Sequence, residues 1–124
     1  MADLHINCKV CVNAAHSGLS ALREVTVRMI EPEVCKRLDW YGDRFNEQSM
    51  LCAGYEEGGK DACVGDSGGP LQCLTPSGRW KLAGVVSFGL GCGERKKPGV
   101  YVNVAKVLGW IKRHVKGIYA SITC

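Results

Sequence analysis

The sequence has 124 residues, of which 46% are hydrophobic and 23% charged, and its formal net charge is +4. This balance is typical of one small globular domain and excludes disordered, fibrous and collagen-like chains. No run approaches the roughly 18 apolar residues of a membrane span, and the positive charge forms no long basic stripe. We therefore expect neither a membrane span nor a nucleic-acid partner.

Eight cysteines and 16 glycines predict a loop-rich fold held by disulfides, and hence a secreted or extracellular location. The chain opens at Met1 without a basic stretch followed by an apolar run, so we expect no signal peptide within it. The pair Cys8 and Cys11 has the spacing of half a metal site but lacks a second pair of ligands. The sequence therefore predicts no metal site and no cofactor.

Short β-rich runs recur between glycine-rich turns, at 24–30, 49–53, 70–74, 80–88 and 99–104. This spacing predicts antiparallel β structure, closed or stacked around one core. Pro32, between two acidic residues, is suited to the first turn of a short helix. Near the end, apolar residues recur at steps of three and four, which predicts a helix with one buried face: Leu108, Ile111, Val115 and Ile118.

The most informative segment is 60–70, in which Ser67 lies between glycines. A serine in such a loop is accessible, and nearby backbone N–H groups can stabilise an oxyanion when an acyl carbon is attacked. A glycine-rich hairpin turn is the structural alternative. The pattern also matches the nucleophile elbow of α/β-hydrolases, but that motif requires a helix after the serine, whereas 70–74 reads as a strand.

The run from Gly65 to Pro70, Gly-Asp-Ser-Gly-Gly-Pro, resembles the active-site segment of the trypsin and chymotrypsin family of serine proteases. Further segments follow in that family's order: 52–55, 86–89, 97–101 and 109–111. The resemblance extends from near Leu19 to near Ile118. It implies that 19–124 forms an all-β, antiparallel β-barrel with a C-terminal α-helix, the second half of the two-barrel trypsin-like fold. Residues 1–18 are an atypical N-terminal segment of uncertain assignment.

The resemblance also implies roles for individual residues. Ser67 is the nucleophile, and the backbone N–H groups of Gly65 and Ser67 form the oxyanion hole. Asp61 lies at the floor of the specificity pocket, where a carboxylate selects Arg or Lys before the scissile bond. The walls of that pocket are formed by two glycines and an aromatic residue: Gly89, Gly99 and Phe88.

Several other residues have structural roles by the same resemblance. The carboxylate of Asp66 pairs with a new N-terminal amine that is released when a precursor is cleaved. Two disulfides are implied, Cys35 with Cys52 and Cys63 with Cys92. Cys73 pairs with a cysteine near the start of the barrel, for which Cys11 and Cys8 compete.

The general base is the weakest part of the pattern. His16 lies in a segment, 12–17, that resembles the family's catalytic-histidine motif, but Ser17 replaces the motif's cysteine. His16 also lies much closer in sequence to Cys35 than the catalytic histidine of a complete family member does. No segment resembles the one that carries the orienting aspartate. An alternative alignment sets 11–20 against the segment that opens the second barrel. His16 is thus one hypothesis for the base.

We therefore predict a serine-type endopeptidase that cleaves after Arg or Lys by an acyl-enzyme mechanism, of which this chain is the C-terminal part, weakly active or inactive alone. The alternative is a non-catalytic homologue or truncated isoform that acts as a binding protein. The expected partners are protein or peptide substrates containing Arg or Lys, protease inhibitors, and a missing N-terminal protease half.

Overall fold

The computed structural model describes residues 6–13, 22–63 and 65–116. The elements follow in the order β1 (Asn7–Asn13), β2 (Leu22–Ile30), α1 (Pro32–Cys35), a 3-10 turn (Gly42–Arg44), β3 (Met50–Gly54), β4 (Pro70–Leu74), β5 (Trp80–Phe88), β6 (Gly99–Asn103) and α2 (Val104–His114). All neighbouring strands are antiparallel and close into one barrel in the order β1-β2-β3-β6-β5-β4. This confirms the predicted all-β barrel followed by a C-terminal helix.

The barrel interior is filled by side chains that alternate along the strands. Val10, Val27, Leu71 and Tyr101 are fully buried there, and burying an aliphatic side chain of this size contributes about 1.5–3 kcal/mol. Closure leaves none of the six strands with a free edge. The alternation seen in the sequence therefore becomes one packed core.

Residues of the segment with uncertain assignment form β1. This strand pairs with β2 from Asn7 opposite Arg28 to Asn13 opposite Leu22, and it also pairs with β4. The runs recognised in the sequence account for the other five strands, and β1 supplies the sixth. Its inward positions are Cys8 and Val10, which are fully buried.

The disulfide of Cys73 is formed with Cys8, which decides between the two partners that the sequence left open. The strand register places Cys8 directly opposite Cys73. Cys8 and Cys11 are three residues apart, and side chains of a strand alternate between faces, so the two cysteines point to opposite sides. Cys11, which is also disulfide-bonded, therefore cannot take the inward position beside β4.

A second buried cluster lies beside the barrel and contains the Cys35–Cys52 disulfide together with Trp40, Tyr41, Phe45 and Val100. A further disulfide joins Cys63 to Cys92. These are the two pairings that the family resemblance implies. The first ties the end of α1 to β3, and the second ties the loop before β4 to the loop between β5 and β6.

Helix α2 begins at Val104, the residue predicted to end the preceding strand, and contacts β5. None of its residues is buried, and Trp110 is 58% exposed. The expected helix is thus present, but the expected buried face is wrong for Leu108, Ile111 and Val115, which are half-buried or exposed. Ile118 lies outside the described residues. A helical period shows that one face is apolar, whereas burial depends on what packs against it.

Among the described residues, no helix has both the length and the apolar character required to cross a membrane.

Candidate active site

The loop that carries Ser67 is a tight turn between Cys63 and β4. Gly65 and Gly68 have φ values of +94° and +86°, a left-handed conformation that glycine adopts without a steric penalty. The N–H of Gly68 donates to Val86 O at 2.9 Å, and that of Gly69 donates to Asp66 O at 3.0 Å. These bonds hold the loop against β5 and leave Ser67 exposed at its tip.

Two backbone N–H groups of this loop are available to a ligand. No hydrogen bond within the described part of the chain uses the N–H of Gly65 or of Ser67, and both residues are exposed. The intervening N–H, that of Asp66, is directed inward to Cys63 O at 3.0 Å. The N–H groups of Gly65 and Ser67 are therefore candidates for the donors of an oxyanion site.

The buried side chain of Asp66 stabilises the loop that carries Ser67. It is buried, with 7% of its surface exposed, and its Oδ2 accepts a hydrogen bond from the N–H of Cys63 at 2.8 Å. A charge-assisted bond of this kind is stronger than one between neutral groups. The buried carboxylate of Asp66 thus helps to fix the conformation of the serine loop.

A cavity of about 190 Å³ opens beside Ser67. Its lining includes every substrate-binding residue predicted from the sequence: Asp61, Phe88, Gly89 and Gly99. Asp61 is the only charged side chain among the described residues that line it. The fold therefore brings the predicted nucleophile and the predicted pocket residues to one concave site.

The two oxygens of Asp61 have different surroundings. Oδ2 accepts a hydrogen bond from the N–H of Gly93 at 3.1 Å, whereas Oδ1 is buried and has no hydrogen-bond partner among the described residues. Burial raises the pKa of Asp61 above its usual value, against the opposing effect of hydrogen bonds from the Gly93 and Ala62 backbone. The negative charge of the Asp61 carboxylate is thus only partly balanced by the described residues.

The two wall glycines differ in how closely they approach their neighbours. A Cβ on Gly99 would lie 2.8 Å from Asp61 Oδ1 and 3.0 Å from the Tyr101 hydroxyl, which is too close for a real side chain. A Cβ on Gly89 would meet its nearest atom, Gly91 O, at 3.4 Å. The absence of a side chain at Gly99 therefore keeps the space beside the Asp61 carboxylate open. At Gly89 an added methyl group would be less crowded. Phe88, the aromatic wall, packs edge-on against Tyr41 with ring centroids 5.9 Å apart.

Tyr101 is a lining residue that the sequence analysis missed. It is fully buried in β6, and its hydroxyl has no hydrogen-bond partner within the described residues. Burial raises the pKa of Tyr101 far above its usual value, and the negative charge of Asp61 raises it further. In the sequence Tyr101 reads as an inward-facing strand residue, so only its polar tip could have suggested a place in the pocket.

Comparison with known proteins agrees with this geometry. The family model for Trypsin matches residues 11–111 of the chain. The chain belongs to the trypsin family. It is 54% identical over 97 residues to coagulation factor XII of Bos taurus, a match that covers 77% of this chain and 16% of that protein.

Other trypsin-family relatives are similarly close. Identity is 47% over 95 residues to transmembrane protease serine 9 of Rattus norvegicus, covering 77% of this chain and 9% of the relative. It is 46% over 99 residues to serine proteinase stubble of Drosophila melanogaster, covering 78% and 13%. The match thus spans less than a fifth of the length of each of these curated relatives.

No histidine is among the described residues that line the cavity. His16 and His5 both lie outside them. His114 is at the end of α2, where its Nδ1 lies 2.8 Å from Trp110 O and its ring stacks on that of Trp110. It does not line the cavity. Within the described ranges, no group of three or more His, Cys, Asp or Glu side chains could hold a metal ion.

Proposed function

We propose that this chain carries the nucleophile and the primary specificity pocket of a serine endopeptidase that cleaves after Arg or Lys. The observation that supports the proposal most strongly is the buried, unpartnered Oδ1 of Asp61 in a cavity that Ser67 also lines. A guanidinium or ammonium group reaching this oxygen would neutralise it. A neutral side chain would leave it uncompensated, and an uncompensated buried charge costs several kcal/mol.

In the proposed reaction, Ser67 Oγ attacks the carbonyl carbon of the scissile bond and gives its proton to a general base. The N–H groups of Gly65 and Ser67 donate to the oxygen that becomes negative. The C–N bond then breaks, the amine leaves with the proton from the base, and the acyl group remains on Ser67. Water hydrolyses this ester by the same steps and restores the free hydroxyl.

A serine hydroxyl is a poor nucleophile unless a base accepts its proton. Two sources of a base fit this chain, namely His16 and a histidine supplied by a separate N-terminal protease half. Removal of one member of a Ser-His-Asp triad leaves a rate several powers of ten below that of the intact enzyme. We therefore expect little or no turnover by the chain alone.

The test is hydrolysis of an arginine ester, together with labelling of Ser67 by a fluorophosphonate. The chain, Ser67→Ala, His16→Ala and the matched control His5→Ala are measured side by side. We expect slow hydrolysis that is lost in Ser67→Ala and unaffected by either histidine substitution. Efficient turnover that disappears in His16→Ala but persists in His5→Ala would overturn the expectation of low activity and assign the base to His16. Labelling that persists in Ser67→Ala would refute the nucleophile.

A second candidate function is binding without catalysis. It is supported by the cavity and Asp61, which can hold a cation without a general base, and by Ser17, which replaces the cysteine of the family's catalytic-histidine motif. Such a protein would hold Arg- or Lys-containing segments, or a protease inhibitor that presents one. The disulfides favour an extracellular location for either function. Retained binding of an arginine peptide without hydrolysis, in the presence of a supplied N-terminal half, would favour this second function.

A further inference from the structure

Two adjacent lysines before the pocket wall have different surroundings. Lys96 has a left-handed backbone, with φ at +58°, and its side chain forms a partly exposed ion pair with Asp39 at 2.7 Å. The ammonium of Lys97 instead donates to two main-chain oxygens, that of Asp39 at 2.9 Å and that of Trp40. Lys97 Nζ also lies 5.6 Å from the centre of the Tyr41 ring, within the range of a cation–π contact.

Lys97 therefore connects two segments that are far apart in sequence. The bonds from Lys97 reach the turn that contains Trp40. From the same turn, the hydroxyl of Tyr41 donates to Pro98 O at 2.5 Å and accepts the N–H of Leu90 at 3.3 Å. Trp40 and Tyr41 are themselves buried. The wall of the cavity is thus attached on both sides to a rigid, packed turn.

The position of this wall matters because Gly99 contributes no side chain between the cavity and Asp61. Gly99 follows Pro98 directly, and its α-carbon is so close to Asp61 that a single added carbon would lie 2.8 Å from Oδ1. Strand pairing with β3 and β5 and the burial of Val100 hold the wall from Gly99 onward, and the Tyr41 hydroxyl and the Lys97 ammonium attach the segment just before it. Small displacements of groups that position a ligand can change rates or affinities by up to about a hundredfold.

From these contacts we propose that Lys97 is a positioning residue of the cation pocket, holding the 98–100 wall at the distance from Asp61 that a guanidinium or ammonium requires. The inference rests on the proposed function, because it concerns the same pocket. Lys97 does not touch the ligand; it acts through Pro98 and Gly99.

Loss of the tether and loss of the charge have opposite consequences. Removing a positive charge near the pocket reduces repulsion of a cationic ligand, so a purely electrostatic effect strengthens binding. Removing the tether leaves the carbonyls of Asp39 and Trp40 without their donor and frees the wall, so it weakens binding. Lys96→Met is the matched control, because it removes the same charge from the neighbouring residue and breaks only a partly exposed ion pair.

The experiment is a benzamidine titration by calorimetry of the full 124-residue chain and its variants, with thermal midpoints measured in parallel. We expect Lys97→Met to bind about tenfold more weakly and Lys97→Arg to recover most of the affinity, since arginine keeps a cation with several donors. Lys96→Met should bind as tightly as the unchanged chain or more tightly. If Lys97→Met does not fold, Lys97→Gln is titrated in its place, because it removes the charge while keeping an N–H donor.

Equal or tighter binding by both Lys97→Met and Lys97→Gln would overturn the positioning role while leaving the pocket intact. The same conclusion follows if Lys97→Arg remains as weak as Lys97→Met despite an unchanged thermal midpoint. If the unchanged chain binds benzamidine no better than Asp61→Ser, the pocket itself is refuted. That result would count against the proposed function and against this inference together.

Discussion

Replacing Asp61 by serine removes the only charged side chain among the described residues that line the cavity. At about 4 Å and an effective dielectric constant of about 20, two opposite charges attract by about 4 kcal/mol. This value is an upper limit for Asp61, because the N–H of Gly93 already partly compensates the carboxylate and burial raises its pKa. A loss of about 2–4 kcal/mol corresponds to a factor of roughly 30 to 1,000 in affinity.

The assay is competitive binding of benzamidine, a cation that reports on the pocket without requiring a catalytic base. Asp61→Asn is the control for shape, since it keeps the side-chain geometry and removes only the charge. Both variants should lose affinity by a similar factor. In the full-length parent, Asp61→Ser should depress cleavage after Arg and Lys far more than cleavage after Phe or Leu. Unchanged benzamidine affinity in Asp61→Ser would refute the electrostatic reasoning.

Three further predictions concern the pocket and the framework. Gly99→Ala should weaken benzamidine binding at least about tenfold, because its Cβ would lie 2.8 Å from Asp61 Oδ1. Gly109→Ala on α2 is the control and should have no effect. Equal affinities of the two variants would contradict the steric argument. Because burial raises the pKa of Asp61, benzamidine binding should fall with decreasing pH at a higher pH than for an ordinary carboxyl group of pKa about 3.9. The same shift means that the folded state binds the proton more tightly, so the free energy of unfolding should decrease as pH rises from the unfolded to the folded pKa, a slope that Asp61→Asn should remove. Replacing both Cys35 and Cys52 by alanine should lower the free energy of unfolding, measured by urea denaturation, by about 3 kcal/mol in the chain-entropy estimate. Peptide mapping of the oxidised chain should show Cys8 joined to Cys73. A Cys11–Cys73 peptide would contradict the register of β1.

Much of the fold could be predicted from the sequence because the strand-like runs and the turn residues between them indicate the same elements. The runs 70–74 and 80–88 coincide with β4 and β5 as the structure has them. The run 80–88 is rich in strand-forming residues, and glycine and proline mark the limits of both runs. The motif around Ser67 likewise indicated a nucleophile and a pocket, since residues close in sequence there are also close in space.

Other features depend on pairings that no local pattern records. β1 became recognisable as a strand only beside β2 and β4. The apolar face of α2 was evident from its period, but its exposure was not. Tyr101 looked like an ordinary core residue until its hydroxyl was found without a partner beside Asp61.

By itself, then, the sequence determined the all-β class and the positions of most strands along the chain, because both depend on short-range patterning, and its resemblance to the trypsin family implied the roles of Ser67 and Asp61. The tertiary structure alone decided that Cys8 rather than Cys11 pairs with Cys73, and that Lys97 anchors the pocket wall to a turn 57 residues away. Strand register selects which of two nearby cysteines faces inward, and a long side chain finds its acceptors only after distant segments have packed together.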